Sequence, residues 1–220
     1  MKKMSVIISL LVGVLVLFFA VEPCLSQAVK DEFVGYRYRL SPATQLIVTD
    51  FACRRNIEGQ NAEWQVVVGN DLVDGYWLNV DAKCRYPIVS FTKGGVITPC
   101  DPSVGPPDKP YTVTVGGPYI VFGPFTLIPD KAEGGYWEGT WKIQTDKDLN
   151  RVMTAEAKGH GGLLEGRSLH LSTIIPAPMP TWCACPGCPT SPFPHPYDPT
   201  KKVTSDMCFD GWVLTPDSAQ

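Results

Sequence analysis

The chain has 220 residues, of which 44% are hydrophobic and 19% charged, a composition too apolar and too weakly charged for a disordered protein. Its 19 basic and 22 acidic residues give a net charge of −3, which argues against an electrostatic grip on nucleic acid. The 20 glycines and 21 prolines predict frequent turns and few long helices.

Residues 1–26 have the features of an export signal. Lys2 and Lys3 precede an apolar run at residues 6–21, and small residues before Gln27 fit a cleavage site. The alternative is an uncleaved anchor, but the run is shorter than the roughly 20 residues that span a bilayer. We expect a secreted, periplasmic or extracellular protein, which contacts a membrane only through an uncleaved signal. Residues 27–220 then form a single domain.

From residue 33 onward, short β-prone runs alternate with turns rich in glycine, proline, asparagine and aspartate. No segment keeps a helical apolar period over three turns. The predicted strands are 33–40, 46–54, 63–68, 76–81, 88–92, 111–115, 119–128, 136–144, 151–158, 163–173 and 208–214. This pattern predicts an all-β fold, a single antiparallel β-barrel built as a meander.

The segment 136–144 shows the clearest strand pattern. Trp137, Gly139 and Trp141 share one face, and the polar residues between them share the other, as in a strand with one buried face. In 163–173, Leu163, Leu169 and Leu171 are predicted to share a face. Glycines inside strands, at positions 139 and 166, favour a closed and strongly coiled sheet.

A Pro/Cys-rich excursion at residues 176–207 interrupts the strands before the last one. Its proline spacing favours an extended path, and a loop of this length is expected to be functional or covalently fixed. Trp182, Phe193 and Tyr197 lie in it with no periodic reason to face a core, so they are candidate contact residues for a ligand or an extracellular surface.

Three glycine- and tryptophan-containing segments, 123–129, 135–141 and 159–166, carry a resemblance. The sequence resembles a group of secreted bacterial proteins whose sheets are similar to the small barrel of allene oxide cyclase and dirigent proteins. The likeness covers roughly residues 110–215 and, more faintly, 33–36. It implies a β-barrel with an apolar pocket. No functional residue of those proteins can be matched to a position of this chain.

Cleavage before Gln27 would leave seven of the eight cysteines, which in an oxidising compartment are predicted to form disulfides. The odd number leaves one thiol free, paired between chains or paired with a retained Cys24. The predicted disulfide cysteines are Cys53, Cys84, Cys100, Cys183, Cys185, Cys188 and Cys208.

Three of these cysteines lie within six residues of one another, and Cys208 follows. Cys183, Cys185, Cys188 and Cys208 could coordinate zinc, or Cys185 and Cys188 could form a redox pair. The favoured interpretation is structural, with disulfides that fix the excursion to the last strand. No cofactor is expected.

No catalytic residue is assigned, but Glu156 and His170 are candidates for acid–base catalysis, because neighbouring strands could bring them to one face that could line the barrel interior. Polar residues that face outward into solvent would give the same sequence pattern. The favoured function is therefore a binding or structural module for a small apolar ligand or a surface partner. The alternatives are an enzyme that uses the barrel interior for cyclase- or isomerase-like acid–base chemistry, and a thiolate metal or redox protein.

Overall fold

A computed structural model describes residues 28–146, 148, 150–175, 193–195, 198–203 and 205–216. The described part is all-β, as the sequence predicts, apart from one short 3₁₀ turn at Gly162–Leu164. The strands are β1 (Val29–Thr44), β2 (Ile47–Phe51), β3 (Arg54–Val67), β4 (Gly75–Lys93), β5 (Val96–Pro99), β6 (Thr112–Val115), β7 (Ile120–Pro129), β8 (Tyr136–Thr145), β9 (Arg151–His160), β10 (Ser168–Ile175), β11 (Phe193–His195), β12 (Asp198–Val203) and β13 (Ser205–Thr215).

Eight of these strands close an antiparallel barrel, which confirms the predicted fold class. The order around the barrel is β1, β3, β4, β7, β8, β9, β10 and β13, and β13 pairs with β1 to close the ring. Each barrel strand therefore pairs with the next barrel strand along the chain, so the topology is the predicted meander. The other strands are insertions in its connections, and β11 and β12 form a separate hairpin.

The inside of the barrel is filled with large side chains. Trp77, Trp137, Leu127 and Met153 are fully buried there, and Trp141 is only 6% exposed. The alternation predicted for β8 is thus confirmed, because its tryptophans face inward and its polar residues face outward. An eight-stranded barrel has an interior just wide enough for side chains, and these fill it.

The chain between Lys158 and Ser168 differs from the prediction. Leu163 is 53% exposed and Leu164 is fully buried, the reverse of the predicted phase, because both lie in the 3₁₀ turn rather than in a strand. Gly166 lies in the turn before β10 with φ of 76°, not inside a strand. The prediction is wrong here because the in–out alternation of side chains along a strand is not kept in a 3₁₀ turn.

The barrel is extended at one end by β2, β5 and β6, together with the parts of β3 and β4 that pair with them. We call this part the extension. A disulfide joins Cys53, in the turn between β2 and β3, to Cys100, just after β5. Asp50 accepts two hydrogen bonds from Arg55, at 2.8 and 2.9 Å, and one at 2.9 Å from the Tyr111 hydroxyl. These contacts fasten the extension together.

The cysteines only partly follow the prediction. Cys208 is disulfide-bonded, as Cys53 and Cys100 are. Cys84 is a buried free thiol, so the prediction that it forms a disulfide is wrong. Its side chain lies on β4 and is only 1% exposed. Cys24, Cys183, Cys185 and Cys188 lie outside the described residues.

No helix among the described residues is long and apolar enough to cross a membrane.

Candidate functional site

A bulge in β4 interrupts the barrel wall. Asn79 pairs with Phe125 of β7, but the next pair in the ladder is Lys83 with Phe122, so three residues of β4 face two of β7. Asp81, inside the bulge, has φ of 51°, and its backbone N–H donates to the side chain of Asn61 on β3 rather than to β7. The regular ladder between the two strands is therefore interrupted at this point.

Two residues of β7 suit the bulge. Pro124 has no backbone N–H to donate to a ladder. Gly123 has no side chain, and a Cβ atom there would lie 3.0 Å from the Cα of Ala82 in the bulge. The sequence thus places a proline and a glycine where a regular pairing is absent and the two backbones approach closely.

A cavity of about 660 Å³ opens on the outer surface beside the bulge. We call it the wall pocket. It reaches from β4 across β7 and β8 to β9. The residues that line it are Asp81, Lys83, Arg85, Ile120, Phe122, Gly123, Pro124, Thr140, Trp141, Lys142, Thr154 and Glu156.

Trp141 is the most deeply buried large side chain of the wall pocket. It faces inward from β8, opposite Gly123, and is 6% exposed. Its indole Nε1 is buried and has no hydrogen-bond acceptor among the described residues. The indole packs in the barrel core, so this N–H lies on the inner side of the wall and not on the outer surface where the wall pocket opens.

Three cations surround Phe122 at the outer edge of the wall pocket. Lys83 on β4 and Lys142 on β8 are the cross-strand neighbours of Phe122. The guanidinium of Arg85 lies over the Phe122 ring, 5.3 Å from its centroid. Two carboxylates, Asp81 and Glu156, also line the pocket.

Glu156 and His170 come together as the sequence suggested, but on the outside of the barrel. They are cross-strand partners on β9 and β10, and Glu156 Oε1 lies 3.7 Å from His170 Nδ1. The Glu156 side chain is 79% exposed, and the His170 ring stacks on Trp212 at 5.2 Å. The interior face of these strands is occupied by Leu169, Leu171 and the alanines of β9, so the pair does not line the interior.

The other predicted site residues lie largely outside the described part of the chain. Trp182 and Tyr197 are not described, and of Phe193 only the backbone is, in β11. Among the described residues, no group of three or more histidine, cysteine, aspartate or glutamate side chains could hold a metal ion. The disulfide at Cys208 leaves it no thiolate for a metal, so Cys208 is not a metal ligand here. The metal and redox alternatives for Cys183, Cys185 and Cys188 stay predictions.

Sequence reasoning missed the wall pocket. One signal was present, because Lys83 and Arg85 are two residues apart in a β-prone segment and so share a face. Their position beside Phe122 and Lys142 depends on the register of β4 against β7 and of β7 against β8, which no local pattern encodes.

Comparisons with known proteins find no relatives. No protein-family model, no curated protein and no solved structure matches the chain. The resemblance to the barrel of allene oxide cyclase and dirigent proteins therefore rests on the sequence motifs.

Proposed function

We propose that the protein is an exported binding module that holds a small ligand in the wall pocket. The observation that carries the proposal is the cavity of about 660 Å³ at the β4 bulge, lined by apolar and charged side chains together. Small-molecule sites are typically concave, of about 300–1,000 Å³, and mostly apolar with a few placed polar groups. The wall pocket has this character.

The barrel interior supports a ligand site much less. The inward-facing side chains of Trp77, Phe125, Trp137 and Met153 are almost fully buried and pack against one another, and the Trp77 and Phe125 rings stack at 3.9 Å. Removing one of these groups would open a cavity at a cost of several kcal/mol. The apolar ligand expected from the sequence is therefore better placed in the wall than in the interior.

Two observations support the exported location. The first is the basic, then apolar, character of residues 1–26. The second is the Cys53–Cys100 disulfide, because such bonds persist mainly in oxidising compartments.

An enzyme is the weaker alternative. The Glu156–His170 pair is close enough for proton exchange through one water, at 3.7 Å. It lies on an open face, however, with Glu156 79% exposed, and acid–base catalysis usually relies on groups whose pKa is shifted by burial. The binding function is accordingly the one we put to the test.

The test is a fluorescence titration with N-phenyl-1-naphthylamine, a neutral apolar dye whose emission rises when it leaves water. Thr140 is exposed on β8 and lines the wall pocket, so Thr140→Trp fills the pocket without disturbing the core. We expect this variant to raise the dissociation constant of the dye by at least about tenfold.

The matched control is Gln144→Trp, an exposed position on the same face of β8 that does not line the wall pocket. It should bind the dye as the unaltered protein does. Near-ultraviolet circular dichroism verifies that both variants are folded, because loosely packed states also bind such dyes. Absence of dye binding, or equal binding by both variants, would contradict the proposal.

A further inference from the structure

The three cations around Phe122 have no carboxylate partner among the described residues. Lys83, Arg85 and Lys142 form no ion pair within the described part of the chain, whereas Lys30, Arg55 and Lys131 each do. Lys83 and Lys142 are the cross-strand neighbours of Phe122, one on each side. Neighbouring strands of a sheet are about 5 Å apart, so both lysines lie close to the Phe122 side chain. Their ammonium groups are thus available to one ligand.

The charge balance at the wall pocket is opposite to that of the chain. The chain carries a net charge of −3, but the lining residues include three cations against two carboxylates. One of the two carboxylates, Glu156, lies at the far edge of the pocket, with its Oε1 atom 3.7 Å from Nδ1 of His170. The other, Asp81, lies in the bulge. A small anion near Phe122 would therefore meet a local positive potential.

The rest of the lining suits an apolar body. Ile120, Phe122 and Pro124 line the pocket from β7, and Trp141 lines it from β8. Lys83, Arg85 and Lys142 add positive charge to the same lining. The pocket therefore combines apolar contacts with groups that select for negative charge.

We infer that the wall pocket selects small organic anions, molecules with an apolar body and one carboxylate or sulfonate group; this inference rests on the proposed function. Lys83 and Lys142 attract the anionic group on either side of Phe122. Arg85 lies over the Phe122 ring, where its planar guanidinium can pair with two oxygens of one anion. The apolar residues of β7 contact the body.

Two dyes with the same aromatic skeleton test this selection. 8-Anilinonaphthalene-1-sulfonate carries one sulfonate, and N-phenyl-1-naphthylamine carries none. We expect the exported protein to bind the sulfonate about tenfold more tightly, the combined effect of two charge pairs near a protein surface. Raising the salt concentration to about 1 M should remove most of this preference, because the screening length falls to about 3 Å.

The decisive variant is the double substitution Lys83→Gln and Lys142→Gln. Both residues are exposed, so the fold should be unaffected. The sulfonate dye should then bind about tenfold more weakly while the neutral dye binds as before. The control is the pair Lys93→Gln and Lys158→Gln, which makes the same change in net charge at exposed positions outside the wall pocket and should alter the affinity less than about twofold.

The outcomes separate this inference from the proposed function. Equal binding of the two dyes, or a preference that survives Lys83→Gln with Lys142→Gln, would overturn the selection for anions. Binding would then still be lost in Thr140→Trp, and the binding function would stand. Failure of the unaltered protein to bind either dye would overturn both.

Discussion

Asp50 is the most buried carboxylate that the structure shows in an ion pair, with a side chain 3% exposed. Hydrogen bonds from the Arg55 guanidinium hold the pKa of Asp50 below its usual value of 3.8, and the Tyr111 hydroxyl adds to the effect against the opposing influence of burial. Because Tyr111 lies 61 residues away, this one side chain fixes the segment before β6 to β2.

Replacing Asp50 with Asn should destabilise the protein by about 2 kcal/mol at pH 7, since Arg55 loses its charged partner. A depressed folded-state pKa means that the stabilisation is present above the unfolded value near 4 and is lost as the pH falls through the lower folded value. The difference between variant and unaltered protein should therefore shrink at pH 3. Urea unfolding at both pH values measures it, and an equal difference at both would show that the charge of Asp50 has no such role.

Single side chains were predictable where a strand pattern is regular and not where it breaks. Trp137 and Trp141 were placed in the core by alternation alone, and they are 0% and 6% exposed. Leu163 and Leu164 were assigned to the wrong faces because a 3₁₀ turn replaces the strand there. The Asp50–Arg55–Tyr111 cluster has no local signal, since Tyr111 lies 61 residues from Asp50.

At the scale of elements, Gly139 marks the closest approach of two barrel strands. A Cβ atom at this position of β8 would lie 2.0 Å from the carbonyl oxygen of Glu156 and 2.7 Å from the Cα of Ala157, both on β9. The obstruction is backbone, which cannot rotate away as the end of a side chain can. The sequence suggested a strongly coiled sheet from this glycine, and that stays a prediction.

Gly139→Ala should destabilise the protein by about 3 kcal/mol, because the two strands must move apart. Gly116→Ala is the matched control, since the nearest atom to its Cβ is the side-chain Cγ2 of Val89, at 2.8 Å, which can turn aside. Thermal unfolding of the two variants measures the contrast. Equal unfolding temperatures would mean that β8 and β9 separate easily, contrary to the packing described here.

Most barrel strands could be predicted from the sequence, but the sequence did not show which predicted strands are parts of one longer strand. The expected strands 119–128, 136–144 and 151–158 match β7, β8 and β9 within two residues at each end. The expected strands 76–81 and 88–92 are one strand, β4, because pairing with β3 and β7 keeps the charged stretch between them extended. The bulge inside β4 is a property of that pairing and not of its own residues.

For the whole molecule, composition predicted the architecture better than it predicted the site. Many short strands and frequent turns predicted a barrel, and the eight-stranded meander confirms it. An apolar pocket was expected on the grounds of resemblance, but large aromatic residues fill the interior. The cavity lies in the wall instead, beside the register shift between β4 and β7.

The location of the ligand can be measured directly by ¹H–¹⁵N correlation spectra of the labelled protein during titration with 8-anilinonaphthalene-1-sulfonate. Binding in the wall pocket predicts amide shift changes that cluster at Lys83, Gly123, Thr140 and Lys142, which line it. Changes confined to the exposed apolar residues of the extension, such as Phe51 and Ile97, would contradict the wall pocket as the binding site.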